Sequence, residues 1–120
     1  GLRILVVEEE LLIALLIESL LKEMGCVVIK ASGFAEACAV IHDDPQGFDA
    51  ATLNLGQSGE NADELADLLE ARSKPFIVVT GYTDPQILAR FSGRPVVSKP
   101  LVPDLLEAAL KRAILNAEHH

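Results

Sequence analysis

The sequence predicts an α/β fold in which a parallel sheet is covered by helices on both faces. Five short apolar runs of strand length alternate with five segments of helical spacing along the 120 residues. The first run, residues 3–7, is uniformly apolar and branched after Arg3, which is typical of a strand buried on both sides. A regular alternation of this kind that ends in a helix indicates parallel strands.

The predicted elements follow one another without a repeat or a linker, so we expect one domain over residues 1–120. Strands are expected at 3–7, 27–29, 50–53, 76–79 and 95–98, and helices at about 10–24, 34–42, 62–72, 84–91 and 103–117. Gly25 is the expected stop of the first helix, Ser32 or Gly33 the start of the second, and Pro103 the start of the last. Five strands at this length favour a flavodoxin-like (βα)5 doubly wound sheet with strand order 2-1-3-4-5.

Composition excludes several classes of partner and location. The net charge is −8 and lysine and arginine do not cluster, so binding to nucleic acid is not expected. The longest apolar run, residues 11–17, is too short to span a bilayer, which needs roughly 20 residues. No secretory pattern is present either. We therefore expect a cytoplasmic protein without a membrane segment.

The two cysteines and the last three residues are not candidate site residues. Cys26 and Cys38 lack metal-ligand spacing and are interpreted as small core hydrophobes. Residues 118–120, which include His119 and His120, resemble the remnant of a purification tag. We exclude them from the candidate site.

The most polar residues follow the predicted strands at their carboxyl ends. They are Glu8, Glu9 and Glu10 after the first strand, Asn54 after the third, Thr80 and Gly81 at the fourth, and Ser98, Lys99 and Pro100 at the fifth. Each alone is explained as a solvated strand end, and the glutamates also favour the amino terminus of the following helix. Together they converge on the crevice where strand order reverses. Adjacent carboxylates suit Mg²⁺, and a hydroxyl and an ammonium suit phosphate oxygens.

Four segments, at residues 4–10, 48–54, 79–81 and 98–100, resemble the signature segments of bacterial response-regulator receiver domains. The resemblance covers residues 2 to 115. Around Thr80, Gly81 and Tyr82 the chain is also similar to a receiver subgroup with a Phe-Ala-Thr-Gly-Tyr run, although Val78 and Val79 replace Phe-Ala.

The resemblance implies a role for each matching position. Glu8 and Glu9 fall on the acidic pair that holds Mg²⁺, and Asn54 falls on the phosphoacceptor. Thr80 falls on the switch hydroxyl and Lys99 on the phosphate-contacting lysine. Pro100 falls where the family has a cis peptide bond.

Three of these positions depart from the family pattern. Asn54 replaces the acceptor Asp, and an amide oxygen is a poor nucleophile. Glu9 stands where Asp is usual and is longer by a methylene. Val96 stands where an aromatic switch residue is common. We therefore expect a degenerate receiver that is not an enzyme and has either no cofactor or weakly bound Mg²⁺.

The first helix also carries a candidate partner surface. Its helical spacing places Ile13, Ile17, Leu20 and Met24 toward the sheet, and Leu11, Leu12 and Leu15 on the outer side. A slightly apolar surface without a function is an equally good explanation of these leucines. In receivers this helix docks histidine kinases and phosphotransfer proteins, and the face of the fourth and fifth strands commonly mediates homodimerisation.

Two other functions remain open from the sequence. The chain is consistent with a conventional phosphorylatable receiver in which an original Asp at position 54 has been changed to Asn. A flavodoxin-like enzyme or nucleotide-binding protein is the other alternative, and it would need a glycine-rich phosphate loop after the first strand. Three glutamates, Glu8, Glu9 and Glu10, occupy that place instead. A degenerate receiver that binds signalling proteins is the preferred hypothesis.

Overall fold

The computed structural model describes residues 2–43, 47–54, 62–80, 96–98 and 103–118. Within these ranges nine elements follow one another. They are β1 (Arg3–Val7), α1 (Leu11–Glu23), β2 (Val27–Ala31), α2 (Phe34–Asp43), β3 (Ala50–Asn54), α3 (Ala62–Ala71), β4 (Phe76–Thr80), β5 (Val96–Ser98) and α4 (Pro103–Glu118). The helix expected at 84–91 lies outside the described residues. The other predicted elements are present, and β2 extends two residues further than predicted.

The sheet has five parallel strands in the order β2-β1-β3-β4-β5, which confirms the predicted doubly wound topology. β1 lies between β2 and β3, with Val7 paired to Ala31 on one side and to Leu53 on the other. The strand order reverses between β1 and β3, so a crevice is expected at their carboxyl ends.

Two hydrophobic cores lie on opposite faces of the sheet. On β1, Leu5 and Val7 face the core that α2 and α3 cover, whereas Ile4 and Val6 face the core that α1 and α4 cover. All four side chains are buried. Burial on both faces explains why β1 reads as a continuous apolar run rather than an alternating one.

α1 packs on the sheet through a face slightly rotated from the predicted one. Ile17 is fully buried as expected, and Ala14 and Leu21 are buried beside it. The expected contacts Ile13, Leu20 and Met24 are only partly buried at the margin of the same core. The sequence pattern missed Ala14 because a small side chain contributes little to an apolar stripe, although it allows close approach of the helix.

The two cysteines are free thiols on opposite faces of the sheet. Cys26 packs against the core beneath α1 and α4, and Cys38 packs against the core beneath α2 and α3. Burial raises the pKa of both thiols. Both side chains are partly buried, which agrees with their interpretation as small hydrophobes. No helix among the described residues is both long and apolar enough to cross a bilayer.

Two helices end in the same hydrogen-bonded motif with different residues at the left-handed position. After α1, the Gly25 N–H donates to the Lys22 carbonyl at 3.0 Å and the Cys26 N–H to the Leu21 carbonyl at 3.0 Å. Gly25 has φ +85°, which is the arrangement of a Schellman motif. After α3, Ser73 occupies the equivalent position with φ 57°. A side chain at this position costs about 1 kcal/mol relative to glycine.

The sequence predicted either Ser32 or Gly33 as the start of the second helix. The Gly33 carbonyl accepts the N–H of Ala37 at 3.0 Å, so Gly33 is the N-cap. Ser32 precedes it and donates its hydroxyl to the Glu36 carboxylate at 2.7 Å. The Ser32 backbone N–H also donates to this carboxylate at 3.1 Å, so Glu36 in the first turn of α2 reaches back to the residue before the N-cap, as the glutamate half of a capping box does. Pro103 is the first residue of α4, as predicted.

One polar side chain is enclosed in the core. Thr52, on β3, is fully buried, and its hydroxyl has no hydrogen-bond partner among the described residues. Its neighbours across the sheet are Val6 and Ile77, which belong to the core beneath α1 and α4. An unpartnered buried hydroxyl lowers stability by about 1–3 kcal/mol.

The two Schellman motifs predict opposite effects of exchanging the left-handed residue. Gly25→Ala should lower the free energy of unfolding by about 1 kcal/mol, because a Cβ is introduced at positive φ. Ser73→Gly should raise it by about 0.5–1 kcal/mol, less the entropy that glycine gains in the unfolded chain. Urea unfolding of the two variants measures both changes. A stabilising Gly25→Ala substitution would contradict the left-handed geometry.

Replacing the buried hydroxyl at position 52 should stabilise the protein. Thr52→Val keeps the shape of the side chain and removes the unpartnered group, so the free energy of unfolding should rise by about 1 kcal/mol. Thr52→Ser is the matched control, since it keeps the hydroxyl and removes a methyl group, and it should lower the stability. Loss of stability in Thr52→Val would mean that the hydroxyl has a partner in solution.

Candidate functional site

The sheet places four predicted site positions along one edge, the edge formed by the carboxyl ends of its strands. Val7 pairs with Leu53, so the next step along both strands sets Glu8 beside Asn54. Asn54 pairs with Val79, and Thr80 follows Val79 on β4. Thr80 in turn pairs with Ser98 at the end of β5. The carboxyl ends of β1, β3, β4 and β5 therefore form one continuous edge, as the strand order requires.

Glu8 is a buried carboxylate whose two oxygens have different surroundings. Its exposed fraction is 7%. Oε1 accepts a hydrogen bond from the Glu10 backbone N–H at 2.9 Å, just before α1 begins. Oε2 is buried and has no hydrogen-bond partner in the part of the chain that the structure describes. The backbone N–H of Glu8 donates to the Ala31 carbonyl at 3.1 Å. Glu8 thus links the end of β1 to β2 and to the positive amino terminus of α1.

Glu9 and Glu10 differ from Glu8 in being exposed. Glu10 occupies the N-cap position of α1, but its side chain makes no capping hydrogen bond to that helix. The first turn of α1 contains no acidic residue. Glu9, the neighbour of Glu8 in the sequence, therefore presents its carboxylate to solvent, as Glu10 does.

These two glutamates give a partial fit to a Mg²⁺ ion. The ion prefers oxygen ligands and is often held by one or two carboxylates with several waters. The Oε2 atom of Glu8 is a group that a cation would satisfy, and Glu9 offers a second carboxylate. However, Oε1 of Glu8 is already engaged with the Glu10 N–H and Oε2 is enclosed. Among the residues that the structure describes, no group of three or more His, Cys, Asp or Glu side chains could hold a metal.

For three other predicted residues the structure gives the position of the backbone. Asn54 and Thr80 are placed by their backbone at the ends of β3 and β4, and Val96 begins β5. Tyr82, Lys99 and Pro100 lie outside the described residues. Their predicted roles stay predictions.

The carboxylate nearest to Asn54 in sequence lies at the opposite edge of the sheet. Asp49 precedes β3, and its Oδ2 accepts the backbone N–H of Arg3 at 2.7 Å. The Arg3 guanidinium donates to the Gly47 carbonyl at 2.6 Å from the same side. Asp49 therefore stabilises the amino edge, about a strand length away from Asn54, and cannot serve as a substitute acceptor.

The outer face of α1 carries four exposed leucines at its amino-terminal half. Leu11 is 67% exposed, Leu12 81%, Leu15 42% and Leu16 48%. We call these four residues the leucine face. The sequence analysis named three of them and missed Leu16, although the spacing i, i+1, i+4, i+5 could have indicated it. The leucine face begins three residues after Glu8 and so adjoins the crevice.

Polar residues bound the leucine face at both ends. Glu9 and Glu10 precede it, and both are exposed. Ser19 and Glu23, also exposed, follow Leu15 at the same helical spacing, whereas the partly buried Leu20 follows Leu16. Exposed carboxylates are therefore present beyond each end of the leucine face.

The lysines of this region are already paired with a carboxylate of α1. Lys22 lies 3.5 Å from the Glu18 carboxylate, and Lys30 of β2 donates to the same carboxylate at 3.2 Å. The hydrogen bond from Lys30 and the charge of Lys22 lower the pKa of Glu18. Glu18 therefore offsets part of the positive charge beside the leucine face.

Comparison with known proteins identifies the family. No family model and no curated protein matches the sequence. SdrG from Sphingomonas melonis Fr1 is 36% identical, with 95% of this chain and 96% of that chain covered and a TM-score of 0.79. A response regulator receiver domain from Clostridium thermocellum is 23% identical, with 98% of both chains covered and a TM-score of 0.83. A CheY-like receiver domain protein from Methanospirillum hungatei is 23% identical, with 98% of this chain and 96% of that chain covered, also at 0.83. With the strand order and edge described above, the chain belongs to the family of response-regulator receiver (CheY-like) domains.

Proposed function

We propose that this domain is a degenerate receiver, which signals by binding other proteins and is not phosphorylated at residue 54. The observation that carries the proposal is the position of Asn54 at the end of β3, beside Glu8 and next to β4. This is the position at which the family resemblance requires the phosphoacceptor.

The chemistry of an amide supports the proposal. Attack on phosphorus by an aspartate uses an ionised carboxylate oxygen and forms an acyl phosphate. The Asn54 side chain is neutral, and its oxygen is a weak nucleophile. Asp49 cannot take over the role, because it binds the Arg3 backbone N–H at the far edge of the sheet.

The acidic pair supports the same conclusion. One carboxylate oxygen of Glu8 accepts the Glu10 N–H, and the other is buried. The Glu8 carboxylate would therefore have to rotate before it could bind a cation. Glu9 is longer than the usual Asp and exposed. Bound Mg²⁺ would neutralise the phosphoryl oxygens during transfer, and Glu8 and Glu9 are the residues that would hold it. We propose that this binding is weak.

A conventional receiver with an altered acceptor is the second candidate. Its support is the retention of Thr80 at the edge next to Asn54, which preserves the switch position. Glu9 and Val96 also depart from the family pattern, and three separate departures favour natural divergence over one replaced residue. The sequence of the natural gene at codon 54 distinguishes the two candidates.

Partners are proposed from the family. Receiver domains generally interact with signalling proteins. We therefore propose a histidine kinase, a phosphotransfer protein or another protein of a bacterial phosphorelay as the partner, in the cytoplasm. Homodimerisation through the face of β4 and β5 is a second mode of interaction that the family implies. A net charge of −8 argues against nucleic acid.

The first test is phosphorylation by a small phosphodonor with Mg²⁺. The intact mass of the protein should remain unchanged, because residue 54 has no ionised oxygen to attack phosphorus. The matched control is the double variant Asn54→Asp, Glu9→Asp, which restores the family residues and should gain one phosphoryl group. An acid-labile phosphoryl adduct on the unchanged protein, or beryllofluoride bonded to residue 54 in crystals, would refute the proposal.

The second test is Mg²⁺ affinity by titration calorimetry. We expect weak binding, with a dissociation constant well above the micromolar range. Replacing Glu9 with Gln should abolish what remains, because it removes the exposed carboxylate. Asn54→Asp should strengthen Mg²⁺ binding, since it adds a third carboxylate to those of Glu8 and Glu9. Micromolar affinity of the unchanged protein would show that Glu8 and Glu9 still form a working site.

A further inference from the structure

The outer edge of β2 is an unpaired edge of the sheet. β2 is the first strand in the sheet order, so β1 is its only strand neighbour in the part of the chain that the structure describes. Val27 donates its backbone N–H to the carbonyl that precedes β1 at 2.7 Å, and the Ala31 carbonyl accepts the N–H that follows β1 at 3.1 Å. Because the backbone groups of successive residues point to opposite sides of a strand, those of Val28 and Lys30 point away from β1.

The protein closes both ends of this edge with hydrogen bonds of its own. Cys26, at the amino end, donates its backbone N–H to the Leu21 carbonyl at 3.0 Å. Ser32, at the carboxyl end, donates its backbone N–H to the Glu36 carboxylate at 3.1 Å. An open row of backbone N–H and carbonyl groups is a template for an added strand. The closed ends limit that strand to about the length of β2, which has five residues.

The side chains along the edge suit a segment of alternating character. On the face that α2 and α3 cover, Ile29 is partly buried, and Val27, two residues earlier, is 48% exposed. On the face that α1 covers, Val28 is partly buried and Lys30 is exposed. Successive side chains of an added strand also point to opposite faces. Its apolar residues would therefore contact Val27 and Ile29, and the residues between them would lie beside Lys30.

The charge around Lys30 is positive, although the chain as a whole carries −8. Lys22 and Lys30 share the carboxylate of Glu18 at 3.5 and 3.2 Å, and their side chains are 63% and 41% exposed. A carboxylate on an added strand beside Lys30 would supply a second negative charge. A second copy of the chain in a symmetric pair would instead bring its own Lys22 and Lys30 to the same place. Like charges on adjacent strands are destabilising, so charge favours an acidic segment over self-association.

We propose that the outer edge of β2 binds an extended segment of a partner protein in which apolar and acidic residues alternate. The segment adds a sixth strand to the five-stranded sheet, with its backbone paired to Val28 and Lys30. Its apolar side chains contact Val27 and Ile29, and its carboxylate pairs with the Lys30 ammonium. The inference goes beyond the proposed function, because the edge belongs to β2 and involves neither residue 54 nor the crevice.

The experiment uses a peptide of about seven residues, a typical strand length, in which valine and glutamate alternate. Its binding to the full chain is followed by NMR, through the chemical shifts and the hydrogen exchange of backbone amides. We expect saturable binding that slows exchange at Val28 and Lys30, by about tenfold when the peptide is at roughly ten times its dissociation constant. The Ile29 amide, which faces β1, should change little. Absence of binding, or binding that leaves both amides unprotected, would overturn the inference.

Variants of the chain test the charge pairing. Lys30→Glu should weaken binding of the valine–glutamate peptide by roughly tenfold, because the new carboxylate repels it. The same variant should bind a valine–lysine peptide that the unchanged chain does not bind. The matched control is Lys111→Glu, which reverses an exposed lysine of α4 that pairs with Glu107 and should leave the binding of both peptides unchanged. Lys30→Gln serves if Lys30→Glu does not fold. Equal loss in Lys111→Glu, or no loss in the Lys30 variants, would contradict the assignment.

Two further measurements separate a second copy and the proposed function from this inference. Without peptide, the exchange rates of the Val28 and Lys30 amides should not depend on protein concentration. Protection that increases with concentration would assign the edge to a second copy and overturn the inference. The mass measurement with phosphodonor is made on the same samples. A phosphorylated chain that still binds the peptide overturns the proposed function alone, and an unphosphorylated chain that does not bind overturns this inference alone.

Discussion

Because β1 is buried on both faces and paired along both sides, its position fixes where the charged residues of this fold can lie. β1 pairs with β2 and β3, and its side chains enter both cores. Between Arg3, at the amino end of β1, and Glu8 every residue of the strand is apolar, so the first charged side chain after the buried stretch, Glu8, falls at the carboxyl edge. The neighbouring strand ends are carried to the same edge by their parallel pairing. The crevice is therefore a consequence of the packing, whatever chemistry its residues retain.

This separation means that the side chain at residue 54 is not part of the packing that holds the fold together. Residue 54 ends β3 at the edge of the sheet, beyond the buried residues Ala51 and Leu53 that contribute to the core. Replacing a carboxylate there with an amide removes a charge from the crevice without opening a cavity in either core. Glu8 has a structural contact of its own, since it binds the Glu10 N–H at the start of α1. An acidic residue at that position is thus explained by the helix terminus as well as by a metal.

The candidate site combines a crevice and a surface that adjoin each other. α1 starts directly after the glutamates, so its amino-terminal half is the part of the helix layer nearest to the carboxyl edge. The leucine face occupies that half, whereas polar residues such as Ser19, Lys22 and Glu23 occupy the exposed positions of the carboxyl-terminal half. Any protein that contacts the leucine face will also meet Glu9 and Glu10.

Local patterns of residues were sufficient to predict the elements, the parallel topology and the edge at which the polar residues gather, because periodicity and alternation follow from local geometry. They also indicated the helix stop at Gly25, where only the backbone conformation matters. Tertiary structure decided what depends on contacts between distant segments. It turned Glu8 inward, enclosed the Thr52 hydroxyl and set Asp49 against Arg3. None of these could be read from a pattern, since the orientation of a side chain is fixed by the strand, helix or backbone group that packs against it.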